Sequence, residues 1–179
     1  MKYKDIPKLT PAPSYCVDVW LKYVLSTLEE YVQESNLQLD PDFQRLHVWT
    51  EAQQVSFIEY LLHDGRDPRA ITVLLNNPNA QYKCTSNYQD FVLVDGKQRI
   101  EAIRKFLNNN LRVFEKHTLN DFEDKNTLLR AITLKFHINN LQSRKEVLTW
   151  YLEVNNSGTP HTEEEIDKVH QLLQQEPQL

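Results

Sequence analysis

The chain has 179 residues, 40% of them hydrophobic and 25% charged, with a formal net charge of −5. Those values suit one globular domain with a core of its own and exclude a disordered chain. The acidic balance excludes a surface that is basic all round, so any contact with nucleic acid has to be a local patch.

Residues 1–13 are polar and proline-bearing and are expected to form an arm, with a single domain over 14–179. Ser14 stands as cap to a predicted amphipathic helix whose stripe is Val17, Leu21, Val24, Leu28 and Val32, with Trp20 and Tyr31 beside it. Leu37 to Leu39 reads as a short strand stopped by Asp40-Pro41. An irregular connector carries Phe43 and Trp49 as core residues. Thr50 with Gln53 spells a capping box, and a helix is expected over Ala52 to Leu62. Gly65 reads as its stop. Ala70 to Leu75 predicts a strand, and the Asn-rich stretch from Asn76 to Asn87 a loop or wide hairpin. The unbroken apolar run Phe91 to Val94 predicts a strand in a buried, central position. Gln98 to Leu107 follows as a helix, with Ile100, Ile103 and Leu107 inward, closed by three asparagines. Leu111 to Phe114 is a weaker strand, and Thr127 to Ala131 a short helix. Leu134, Phe136 and Ile138 alternate with Lys135 and His137, the pattern of a half-buried strand. Ser143 with Glu146 and Thr162 with Glu165 open the last two helices. The elements add up to an α+β fold with a small sheet and flanking helices.

Two cysteines, Cys16 and Cys84, lie outside any CxxC pair, which fits a reducing, cytoplasmic setting; Cys16 reads as a helix-face residue. No leader is expected, and no apolar run is long enough for a membrane span. The six histidines have no zinc spacing. With only three glycines, the chain holds neither a Walker-A loop nor a GxGxxG fingerprint.

The richest chemistry sits at Val94-Asp95-Gly96-Lys97-Gln98-Arg99. A strand breaks at Asp-Gly and a helix starts at once. A helix start offers backbone N–H groups, glycine lets a ligand approach, and Lys97 and Arg99 add positive charge. Phosphate is the expected anion, with Gly96, Lys97, Gln98 and Arg99 around it. Asp95 either caps the helix or holds a magnesium ion beside the phosphates, and Glu101 is the other candidate base or metal ligand. The alternative is a capped helix with a surface lysine and an arginine bound to a nearby carboxylate. In the connector, Gln44 and Arg45 either reach the same phosphate or lock the loop on backbone carbonyls. Asn156 and Gly158 lie where one helix ends and the next begins, placed to hydrogen-bond a base or ribose, or simply to join two helices.

Three blocks in this order, Asp42-Phe43-Gln44-Arg45 with Trp49, Val94 to Arg99, and Asn155-Asn156-Ser157-Gly158 before an acidic helix start, resemble one group. It is the ParB/sulfiredoxin-like superfamily, in particular the domain in the S half of GmrSD-type modification-dependent restriction enzymes. The resemblance runs from about Leu37 to about Ile166. The typical centre of that group reads Asp-Gly-Gln-Gln-Arg, and Lys97 stands here in place of the first glutamine. The resemblance implies a compact α+β domain that binds a nucleoside triphosphate with Mg2+ and often hydrolyses it, coupled to DNA restriction or modification. Wider relatives bind CTP, reduce a sulfinic acid with ATP or phosphorylate small hydroxyl substrates. The HNH-type nuclease domain that often follows in restriction members is not within this sequence, so nuclease activity is not expected of it, and a stand-alone, phage-encoded protein in a bacterial host is. Three functions stay open: a phosphohydrolase or phosphotransferase; a DNA- or nucleotide-binding module whose basic patch extends over Arg104, Lys105 and Arg112; and an inhibitor that binds a protein partner in a host defence complex.

Overall fold

The computed structural model describes residues 5–6, 9–11, 13–44, 49–80, 85–155 and 162–176. Within them lie four strands and seven α-helices in mixed α+β order. Strands β1 (Tyr15–Trp20), β2 (Thr72–Asn76), β3 (Val92–Asp95) and β4 (Thr133–Asn139) form one sheet in the order β1-β4-β2-β3. β4 runs antiparallel to β1 and parallel to β2, and β2 and β3 make the wide antiparallel hairpin. The helices are α1 (Val24–Ser35), α2 (Glu51–Leu62), α3 (Pro68–Ile71), α4 (Lys97–Leu107), α5 (Lys125–Ala131), α6 (Arg144–Asn155) and α7 (Glu163–Gln175).

Alternation decides which face of the sheet is buried. Leu134, Phe136 and Ile138 of β4 are fully buried, as are Val73 and Leu75 opposite them on β2. They pack with α1, α2 and α4 through Leu28, Ile58, Ile103 and Phe106. The other face is covered over only part of its width. There α6 and α7 bring Val147, Leu148, Tyr151 and Val169 onto Val92 and Val94 of β3, with Phe43 filling in. Over β1 and β4 that face stays open: Cys16, Asp18 and Trp20 are exposed, and Lys135 and His137 are half-buried.

The predicted first helix is instead a strand, one 3-10 turn (Leu21–Tyr23) and then α1. Residues 15–20 alternate, with Val17 and Val19 toward the core, and β4 supplies their hydrogen-bond partner, so tertiary pairing overrides the helical stripe. Cys16 is accordingly an exposed strand residue. β3 is an edge of the sheet, not its centre. Its edge is covered by Gln38, whose N–H donates to Phe91 O (2.9 Å) and whose carbonyl accepts from Leu93 N (3.0 Å). That bridge is all that forms of the strand expected at Leu37 to Leu39. Leu111 to Phe114 likewise holds only a bridge, Val113 to His117. Gly65 stops α2 without being its left-handed residue: Asp64 takes that conformation (φ 59°), the Gly65 N–H donates to Tyr60 O (2.9 Å), and a Cβ on Gly65 would stand 2.4 Å from the Tyr60 ring. The capping boxes at Thr50 and Thr162 form as read. No helix among the described residues is long and apolar enough to cross a membrane.

Candidate functional site

β3 ends at Asp95, Gly96 turns the chain at φ 112°, and α4 begins. A Cβ on Gly96 would lie 3.2 and 3.3 Å from the two γ carbons of Val73. The glycine is therefore required by the turn and by packing on β2, and the space beside it belongs to Val73 rather than to a ligand. α4 starts with no side-chain cap and no acidic residue in its first turn, which leaves the positive end of its dipole uncompensated by this helix's own side chains.

The three residues after Gly96 take separate partners. Lys97 Nζ reaches Asp40 Oδ1 at 2.5 Å. Gln98 is buried, and its Oε1 accepts from Trp49 N at 3.1 Å, fixing the connector before α2. Arg99 Nη2 folds back one turn to Asp95 Oδ2 at 2.5 Å. Lys97 and Arg99 are thus drawn to different carboxylates, Asp40 and Asp95.

Asp95 and Arg99 line a cavity of about 260 Å³. Its other polar groups are Arg69 from α3, Thr72 from β2 and His137 from β4, with Leu74 and Val154 as apolar wall. Sheet register explains the meeting. Leu74 stands opposite Asp95 on one side and His137 on the other, so the three form a row across β3, β2 and β4. The register shifts between Leu74 and Leu75, since Leu75 faces Leu93. Val94 is the extra residue of this bulge, and Asp95 is thereby re-aimed to the Leu74 side. Thr72, two residues before Leu74, shares that face.

Arg99 is 15% exposed and Asp95 33%. The Arg99 Nε is buried with no hydrogen-bond partner among the described residues; a buried donor left in this way calls for a water or a ligand. Burial first, then the charge of Lys135, holds the His137 imidazole below its ordinary pKa, with Asp18 acting the other way. His137 is therefore neutral at pH 7, one ring nitrogen a donor and the other an acceptor.

The remaining expected residues are placed as follows. Gln44 Nε2 donates to the carbonyls of Leu93 (3.0 Å) and Val94 (2.9 Å), the loop-locking alternative. Glu101 pairs with Arg104 on the same helix. Arg45, Asn156 and Gly158 lie outside the described residues. Arg69, Thr72 and His137 were missed by the sequence reading; the one signal available was the alternation of β4, which puts His137 on the face away from Phe136. No group of three or more His, Cys, Asp or Glu among the described residues forms a metal centre. Asp95 gives the cavity a single carboxylate, which fits a magnesium ion carried mainly by the phosphates of a nucleotide and not one held by the protein alone.

Neither a comparison with curated proteins nor one with solved structures finds a match. The family model of the GmrSD restriction endonuclease N-terminal domain matches residues 28–176. That stretch takes in the bulged edge strand, the Asp95–Gly96 turn and every polar group of the cavity, and the chain belongs to the family of GmrSD restriction endonuclease N-terminal domains.

Proposed function

We propose that the cavity between the Asp95–Gly96 turn and β4 binds the phosphates of a nucleoside triphosphate and that the protein transfers or hydrolyses the terminal phosphoryl group. Membership in a restriction-endonuclease family ties the chain to DNA restriction and to conflict between phage and host. The observation that carries the proposal is Arg99: a guanidinium held at a cavity wall, its Nε buried without a partner among the described residues. Arginine offers a planar fork suited to phosphate oxygens, and Arg69 adds a second cation to the same wall.

In phosphoryl transfer the protein mostly positions groups and stabilises charge. Arg99 neutralises charge that builds on the phosphoryl oxygens, and Asp95 holds Arg99 in place until the anion arrives. Magnesium, when bound with the nucleotide, neutralises further phosphate charge, and Asp95 is the side chain that would contact it. With Asp95 engaged by Arg99, the group left in the cavity to accept a proton is neutral His137. The attacking oxygen, from water or an acceptor hydroxyl, bonds to the γ phosphorus and gives its proton to His137. The bond to the bridging oxygen breaks, and the nucleoside diphosphate leaves.

The test is release or transfer of radiolabelled γ-phosphate from each nucleoside triphosphate, with magnesium, with and without DNA. Wild type should turn over at least one, Arg99→Ala should lose about a hundredfold or more, the usual cost of removing a charge-stabilising donor, and His137→Gln should keep binding while turnover falls. Nucleotide binding without turnover would leave a binding module instead, and turnover untouched by Arg99→Ala would defeat the proposal.

A further inference from the structure

A second cavity, of about 330 Å³, adjoins the first along the open half of the sheet. The two share Pro68. Lys135 lines the second as His137 lines the first, and the two are alternate residues of β4; such residues share a face at about 6.6 Å, given a rise of about 3.3 Å per residue. The cavities are thus consecutive stations on one surface. Their charges differ. The first has Arg69 and Arg99 against Asp95 alone, whereas the second is lined by two carboxylates, Asp18 and Asp64, balanced by two cations, Lys135 and Arg66. Asp18 pairs with Lys135 at 2.9 Å and Asp64 with Arg66 at 2.7 Å. Carboxylates repel phosphate and accept hydrogen bonds from ribose hydroxyls, and Ile132 adds apolar wall for a base.

We infer that the second cavity is the nucleoside subsite of the same nucleotide, with Asp18 accepting from the ribose hydroxyls, so that ribonucleotides are the substrate class. This inference rests on the phosphate site proposed above. The experiment compares the affinities of tripolyphosphate, the four ribonucleoside triphosphates and their deoxy counterparts by calorimetry, for wild type, Arg99→Ala, Asp18→Asn and Lys135→Gln. Asp18 and Lys135 are 63% and 43% exposed, so both of these variants keep the fold. At least one ribonucleotide should bind about tenfold or more tighter than tripolyphosphate, the worth of one hydrogen bond to a charged group. Asp18→Asn and Lys135→Gln should both shrink that ratio, and Asp18→Asn should also erase the preference over the deoxy form. The two variants shift net charge in opposite directions, so a general electrostatic effect cannot shrink the ratio in both. An unchanged ratio, or nucleotides that bind no tighter than tripolyphosphate, overturns the subsite while the phosphate site stands. Failure of tripolyphosphate and of every nucleotide to bind wild type, or binding that survives Arg99→Ala intact, overturns the phosphate site and the subsite together.

Discussion

Replacing Gly96 by alanine tests the turn on which the site is built. At φ 112° and ψ 1° the residue sits where an L side chain is strained, and holding such a residue there costs about 1–3 kcal/mol. The new methyl would also stand 3.2 and 3.3 Å from the γ carbons of Val73 and 3.4 Å from its Cα. Val73 cannot move aside, because it is fully buried on β2 with β4 paired on one side and β3 on the other. Forcing a methyl into such a core costs about 1–3 kcal/mol more. The expected loss is therefore about 2–6 kcal/mol, a large share of the ~5–15 kcal/mol that holds an ordinary domain together. Urea unfolding followed by tryptophan fluorescence measures it, with the m-value expected to stay constant. Adding Val73→Ala makes a double-mutant cycle. Truncation of Val73 removes the contact but not the backbone strain, so the coupling energy should be favourable and smaller than the whole loss. A loss below about 0.5 kcal/mol, the range of an ordinary surface substitution, would show that neither the strain nor the contact is real.

Other substitutions separate structural from functional residues. Gln44→Ala removes the two hydrogen bonds to the Leu93 and Val94 carbonyls and should cost about 1–3 kcal/mol, with faster amide exchange at Leu93 on the same edge. Lys97→Gln breaks an ion pair whose carboxylate is 68% exposed but whose lysine is only 15% exposed; it should cost about 1–2 kcal/mol and leave nucleotide affinity within about twofold; a large loss of affinity would return Lys97 to the phosphate site. His137 has its folded pKa depressed below the ordinary 6.5. Its stabilising contribution is then complete above pH 6.5 and is lost as pH falls through the depressed value, because the unfolded chain takes up the proton first. Urea midpoints at pH 7.5 and 5.5 should fall less in His137→Gln than in wild type, and an equal fall in both would refute the assignment.

Signals that are local in the chain were legible in it. The capping boxes at Thr50 and Thr162 were read correctly because both partners of each hydrogen-bond pair lie within four residues. The first element failed for the opposite reason. Val17, Leu21, Val24 and Leu28 keep helical spacing across a strand, a 3-10 turn and a helix, since each is drawn to the core separately. Burial periodicity says which residues go inward and not what the backbone does between them. β3 shows the same limit. Its continuous apolar run correctly implied cover on both faces, by Leu93 in one core and Val92 and Val94 in the other. Its place at the sheet edge follows from β4 taking the other side of β2, and the cover on that edge comes from Gln38, more than fifty residues earlier.

For the site, the turn could be read and the convergence could not. Asp-Gly after an apolar run fixed where strand gives way to helix. Successive helical residues diverge by about 100°, so Lys97, Gln98 and Arg99 had to leave the turn in different directions, and only the distant Asp40 and Trp49 decide where the first two go. His137 sits more than thirty residues after Arg99, with no motif of its own. It joins the cavity because β4 inserts between β1 and β2, which leaves Leu74 as the one residue between His137 and Asp95. The bulge at Val94 completes the geometry, because without the extra residue Asp95 would fall on the opposite face of the strand. The proposed chemistry therefore depends less on the Asp-Gly-Lys-Gln-Arg string than on a strand order and a register shift, and a relative that kept the string but lost the bulge would lose the alignment of Asp95 with His137.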